Sequence, residues 1–322
     1  MKRSVIWAVA VVSLAAGAGS RAQQSGQQQS GAQQSTAQQQ TGTPAQGRGR
    51  QAGLPSMGGG QCANNPYNCP DTPNPLPAAS TVWLEEMTWM DVRDAMKAGK
   101  TTAIISTGGI EPNGPWLALG KHNYVLRANC DAIARKLGNA LCAPIDPFVP
   151  EGNPSAKGGH MASPGTISLR EETFAALLTD IATSLKTHGF ENIILIGDSG
   201  GNTRGMSTVA KTLLTEWAGS TFIAHIPQYY DYESVSREMA TKGLIKEGPS
   251  DGLHDDPIIT LNMWITDPKS VRYNERVKAG KATINGVSIA NAKKNMTLAK
   301  AIVDYRATVT ADAIKKAIAS KK

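Results

Sequence analysis

Short apolar runs that alternate with amphipathic stretches constrain this 322-residue chain more than any other feature of its sequence. The clearest unit runs "SLREETFAALLTDIATSLKTHGF", then "NIILIG", then "DSGGNTRGMSTVAKTLLTEW". In the first stretch Phe174, Leu177, Leu178, Ile181 and Leu185 share one helical face. Ser168 with Glu171 has capping-box spacing at its start, and Gly189 supplies the stop. "NIILIG" has the length and composition of a buried strand, as do "TTAIISTGG", "NALCAPIDPFV" and "TFIAHIPQYY". "NYVLRANCDAIARKLG" has helical spacing and ends at Gly138. Strands alternating with helices predict an α/β fold, a mostly parallel sheet with helices on both faces. In such a fold "GDSGG", residues 197–201, is a strand-to-helix turn where a sheet places its ligands. The same letters in a trypsin-like protease belong to paired antiparallel barrels.

The ends of the chain carry different information. "MKRSVIWAVAVVSLAAGAGSRA" has a charged start, an apolar run too short for a comfortable span, and small residues at Ser20 and Ala22. It predicts a signal peptide over 1–22 and an exported chain, periplasmic or secreted, with no membrane span once cleaved. Residues 23–80 open on a Gln/Gly-rich stretch with little to bury, which predicts a disordered tether followed by a turn-rich loop. The folded domain is expected over 81–322. The formal charge of +7 falls to +4 without Lys2, Arg3 and Arg21. No basic stripe with interleaved aromatics is present, which argues against nucleic acid as a partner. The four cysteines, Cys62, Cys69, Cys130 and Cys142, form no C-x-x-C pair. In an exported chain they suggest disulfides, Cys62–Cys69 around "ANNPYN" and Cys130–Cys142 between a helix and the next strand; buried thiols are the alternative for the second pair.

Three segments, each without an internal gap, resemble motifs of the creatininase (creatinine amidohydrolase) family. "STGGIEPNGPWLALGKHNYV" is similar to G-x-x-E-x-H-G-P-H-L-P-L-x-T-D, "HMASPGTISL" to H-x-x-F-P-G-T-I-S-L, and "HGFENIILIGDSGGN" to H-G-F-x-x-I-x-x-x-N-G-H-G-G-N. The resemblance runs from about Trp83 to the C-terminal helix. It implies a three-layer sandwich, a buried metal site often holding two ions, hydrolysis of amide-type C–N bonds in small molecules, and assembly into homo-oligomers. Glu111 matches the first carboxylate ligand, and His160 the histidine before the P-G-T turn. Asn113 stands where the family has a ligand histidine, His122 where it has the ligand aspartate, and Ser199 where it has the histidine of the glycine turn. His254 matches the histidine of a later H-A-G-E segment and is followed by Asp255 and Asp256.

On that resemblance the expected metal ligands are Glu111, His122, Asp198 and Asp255, with His254, His160 and Ser199 in catalytic roles. The ion would be divalent, zinc first, manganese or iron otherwise; a site that has lost its metal is the alternative. His122 also reads as a residue packing at a helix start, and His254 as a paired surface histidine. His188 suits a helix C-terminus and His225 a core strand. Trp116, Tyr229, Tyr230 and Trp264 read as either pocket or core aromatics. Three functions remain open: a metal-assisted amidohydrolase, a metal-free hydrolase with Ser199 as nucleophile, and a scaffold that binds a small ligand without turnover.

Overall fold

The computed structural model describes residues 62–321, so the signal-peptide assignment and most of the tether lie outside the described residues. Two compact units divide at Thr72. Of the first, residues 62–72 are described. Cys62 and Cys69 are disulfide-bonded there, and the Asn65 side chain accepts from the Tyr67 amide to close the turn between them.

The second unit begins at Pro73 and holds the sheet. Its elements run α1 (Trp89–Lys97), β1 (Thr102–Thr107), α2 (Lys121–Leu137), β2 (Ala140–Cys142), α3 (Glu171–Thr187), β3 (Asn192–Gly197), α4 (Asn202–Glu216), β4 (Phe222–His225), α5 (Tyr232–Thr241), α6 (Pro257–Thr266), α7 (Tyr273–Lys278), β5 (Thr283–Ile284), β6 (Val287–Ser288) and α8 (Ala292–Ala319). β1 to β4 form one parallel sheet in the order β2-β1-β3-β4, while β5 and β6 make a short antiparallel ribbon.

Strand periodicity sorts the core into layers. Ala103 and Ile105 of β1, with Ile193 and Leu195 of β3, pack against α3 and α4. The intervening Ile104, Ile194 and Ile196 pack against α2 and α8. Both sheet faces are therefore dry, which is why these strands read as continuous apolar runs. Cys130 of α2 and Cys142 of β2 are disulfide-bonded, stapling a helix to the edge of the sheet. A second group of apolar side chains from α5, α6, the β5–β6 ribbon and α8 lies beyond the sheet.

One local expectation changes and one open choice is decided. α3 starts at Glu171 with no side-chain cap, because Ser168 is spent elsewhere: its hydroxyl accepts from the Glu151 amide at 2.9 Å and donates to the Gly152 carbonyl at 2.6 Å. Tyr229 and Trp264 are buried in apolar clusters and are core aromatics.

Candidate active site

The sheet creates the site through its connections. The chain leaves β1 to one side for β2 and returns on the other for β3, so the crevice beyond β1 and β3 is a topological switch point. Thr107 pairs with Gly197 at the carboxyl ends of the two strands, and the Asp198 amide donates to Thr107 O. Asn202, the last residue of the glycine turn motif, locks this edge: its buried amide donates to Thr107 O, Thr107 Oγ1 and Gly108 O. The "GGIEP" loop and the "GDSGG" turn are thereby held side by side.

Glu111 is 2% exposed and its two oxygens do different work. Oε1 accepts from Lys121 Nζ at 2.8 Å and lies 2.9 Å from His122 Nε2. Oε2 lies 3.0 Å from His160 Nδ1. Burial alone would raise the Glu111 carboxyl; the bonds from His122 and the Lys121 charge prevail and hold it well below the usual range. The other nitrogen of His122, Nδ1, is 2.9 Å from Asp198 Oδ2. Burial works against a charged His122 ring, but the two carboxylates flanking it win and raise its pKa.

Asp198 is wholly buried and saturated. Arg306 of α8 donates to Oδ1 at 2.9 Å, and the Tyr232 hydroxyl lies 2.8 and 3.0 Å from the two oxygens. The Arg306 guanidinium sits between the Tyr229 and Tyr232 rings, 4.3 and 4.4 Å from their centroids, where aromatic faces favour a cation. Burial opposes the Asp198 charge and Arg306 restores it, so its pKa is lowered.

A second carboxylate completes the centre. Glu151, from the loop after β2, lies 3.2 Å from His160 Nδ1 through Oε2. Burial and then the neighbouring Glu111 charge push its pKa up to about 7. One ligand atom each from Glu111, Glu151 and His160 falls within 4.8 Å of the others, the geometry of a cation site. Glu151 Oε1 is buried with no hydrogen-bond partner, and a side chain at Gly109 would collide with it. The absence of a side chain at Gly109 is what lets this oxygen approach, and an unpaired buried oxygen beside a like charge suits a divalent ion.

The sequence-derived set is thus partly brought together. Glu111, His122, Asp198 and His160 form one connected cluster. His254 joins it from the loop before α6: Lys121 donates to its Nε2 at 3.2 Å, and its Nδ1 is 3.8 Å from Glu111 Oε1. His254 is 52% exposed and His160 40%, and their rings stand 6.0 Å apart at the mouth. Ser199 is buried at the turn, and among the described residues no hydrogen bond reaches its hydroxyl. Asp255 stands apart in a buried ion pair with Arg276 at 2.7 Å. His225 bonds Ser207 and is pushed down to about 4 by burial, as suits a strand histidine away from the site.

Glu151, Lys121 and Arg306 were not anticipated. A signal existed for two of them: Arg306 interrupts the apolar stripe of Leu298, Ile302 and Ile314 on α8, and Lys121 opens α2 where the helix dipole disfavours a cation. Glu151 lies in "VPEGNP", outside the matched motifs, and carries no such mark.

Residues 85–319 match a family model described as creatininase, creatinine amidohydrolase. A creatinine amidohydrolase of Pseudomonas putida is 24% identical over 118 residues, a match covering 37% of this chain and 45% of that protein. Among solved structures, a creatininase variant of the Zn-Zn type superposes with a TM-score of 0.51 at 18% identity. A structure described as creatininase Mn gives 0.52 at 19%. Each covers 74% of this chain and 98% of the other. At that identity they share the fold, in agreement with the parallel sheet and its two helical layers.

Proposed function

Because the chain belongs to the creatininase family, we propose that it is an exported amidohydrolase that cleaves an amide-type C–N bond in a small molecule with the help of a divalent ion. The observation that carries this reading is the convergence of Glu111, Glu151 and His160 beyond the carboxyl ends of β1 and β3. These three residues would hold the ion, in place of the set expected from the sequence. Zinc or manganese bound there would polarise a carbonyl and acidify a water.

The remaining chemistry belongs to the chain. Lys121 and His122 keep Glu111 ionised and fixed. His254 reaches from the buried Lys121 to solvent, a placement suited to taking a proton from the attacking water and returning it to the leaving nitrogen. The Ser199–Gly201 turn leads into α4, whose first two amides, of Asn202 and Thr203, donate to the Ser199 and Gly200 carbonyls; a developing oxyanion would instead meet the amide groups of the turn itself. Tyr230, 40% exposed, leans over Gly200 and borders the same space.

The serine-nucleophile reading is less well supported, since it needs a histidine bonded to Ser199. Both nitrogens of His122 are already engaged by carboxylates. Export is supported by the two disulfides, which persist in oxidising compartments. The test is chelator stripping followed by zinc or manganese add-back, with hydrolysis of small cyclic amides, creatinine among them, followed by mass spectrometry. Activity lost on stripping, restored by metal and absent in Glu111→Gln is the expected result. Turnover that survives complete stripping would overturn the metal-assisted reading.

A further inference from the structure

We propose that Lys121 is a built-in cation occupying one of two cation positions around Glu111, so that the centre accepts a single divalent ion. The inference rests on the metal-assisted reading above and departs from the solved relative of the Zn-Zn type.

The argument starts from the way Glu111 is divided. Its Oε1 receives two donors from one side, Lys121 Nζ at 2.8 Å and His122 Nε2 at 2.9 Å. That oxygen has no lone pair left for an ion. Its Oε2 lies 3.0 Å from His160 Nδ1, which is 3.2 Å from Glu151 Oε2, and the other Glu151 oxygen has no hydrogen-bond partner. One oxygen of the carboxylate is filled by two buried donors, and the other faces the two residues that group with it as candidate ion ligands.

The donors on the filled face cannot easily leave it. The Lys121 side chain is 0% exposed, and the partners of its amine are Glu111 and His254. A buried ammonium deprived of its carboxylate is strongly disfavoured. His122 has a carboxylate oxygen 2.9 Å from each ring nitrogen. Both ring nitrogens are thus turned to protein carboxylates. Asp198 behind it is occupied by Arg306, Tyr232 and His122 together. Lysine and arginine therefore balance Glu111 and Asp198 charge for charge, with His122 shared between the two acids. A second divalent ion would meet a neutral or positive pocket, whereas Glu151 adds the negative charge that one ion can use.

The test counts ions. The full chain is stripped with chelator and titrated with Mn2+ by calorimetry, and the bound ion is quantified by mass spectrometry after desalting. One ion per chain is expected. Glu151→Gln and, at the more tolerant mouth position, His160→Asn should each weaken binding at least tenfold while melting as a folded protein. Lys121→Thr with His122→Asp should raise the count to two. Two ions in the unaltered chain would overturn this inference and leave the metal-assisted reading standing. No bound ion would overturn that reading itself. One ion held equally well after both Glu151→Gln and His160→Asn, or a count that stays at one in a folded Lys121→Thr/His122→Asp chain, would overturn the single-ion inference.

Discussion

Ser199 carries the most suggestive letter of the sequence and one of the quietest roles in the structure. Because no histidine bonds its hydroxyl, Ser199→Ala should retain activity within about tenfold of the unaltered enzyme in steady-state assays, whereas an acylating serine would lose nearly all of it. Asp146 is the reverse case, a residue without sequence signal that governs pH behaviour. Its buried carboxylate accepts one bond, from the Phe148 amide, and its second oxygen has no partner. Burial raises its pKa to about 6. An acid raised in the folded state favours folding below its unfolded value near 4, and that contribution is lost as pH climbs through about 6. Asp146→Asn should therefore change little near pH 4 and stabilise the protein by up to about 3 kcal/mol at pH 8, read from denaturant melts at both pH values. Glu111, His122, Asp198 and His160 were legible because ordered motifs mark them. Arg306 showed only as a break in an apolar stripe, which marks a buried charge but not its partner, and Glu151 was not legible at all, because its loop has no pattern that says where it folds.

At the scale of elements, sequence is most informative where burial is two-sided or strictly periodic. β1 and β3 are apolar throughout because both faces are covered, and α3 shows its stripe plainly. α6 escaped notice for the opposite reason: "PIITLNMWIT" is buried nearly all round, so no helical period distinguishes it from a strand. The Ser168 spacing misled because a loop competed for the hydroxyl and won. The Cys130–Cys142 bond joins α2 to β2 across 12 residues. Closing a loop of that size is worth about 3 kcal/mol, so Cys130→Ser with Cys142→Ser should lower the melting temperature by roughly 6–12 °C in calorimetry. α8 contributes differently. Arg306→Met should cost about 3–5 kcal/mol, because it leaves Asp198 buried without its counter-charge. Adding Asp198→Asn should recover part of the loss, and a double-mutant cycle from chemical denaturation measures that coupling.

Across the whole molecule, the centre draws on the loop after β1, the start of α2, the loop after β2, the β3–α4 turn, the loop before α6, and α8. The sheet edge alone brings Glu111 and Asp198 together, and two acids so close in a dry crevice would repel each other. Lys121 and His122 answer Glu111 from α2, while the counter-charge of Asp198 comes from Arg306, on α8. The order of synthesis then matters. A nascent chain can lay down β1 to β4 in sequence, yet Asp198 lacks its guanidinium until α8 emerges and docks. A product of premature termination, or one clipped before Arg306, would keep every motif of the family and still lack the guanidinium that lets those motifs close. α8 thus makes the burial of Asp198 conditional on its own docking, through a cation that the sheet edge does not carry.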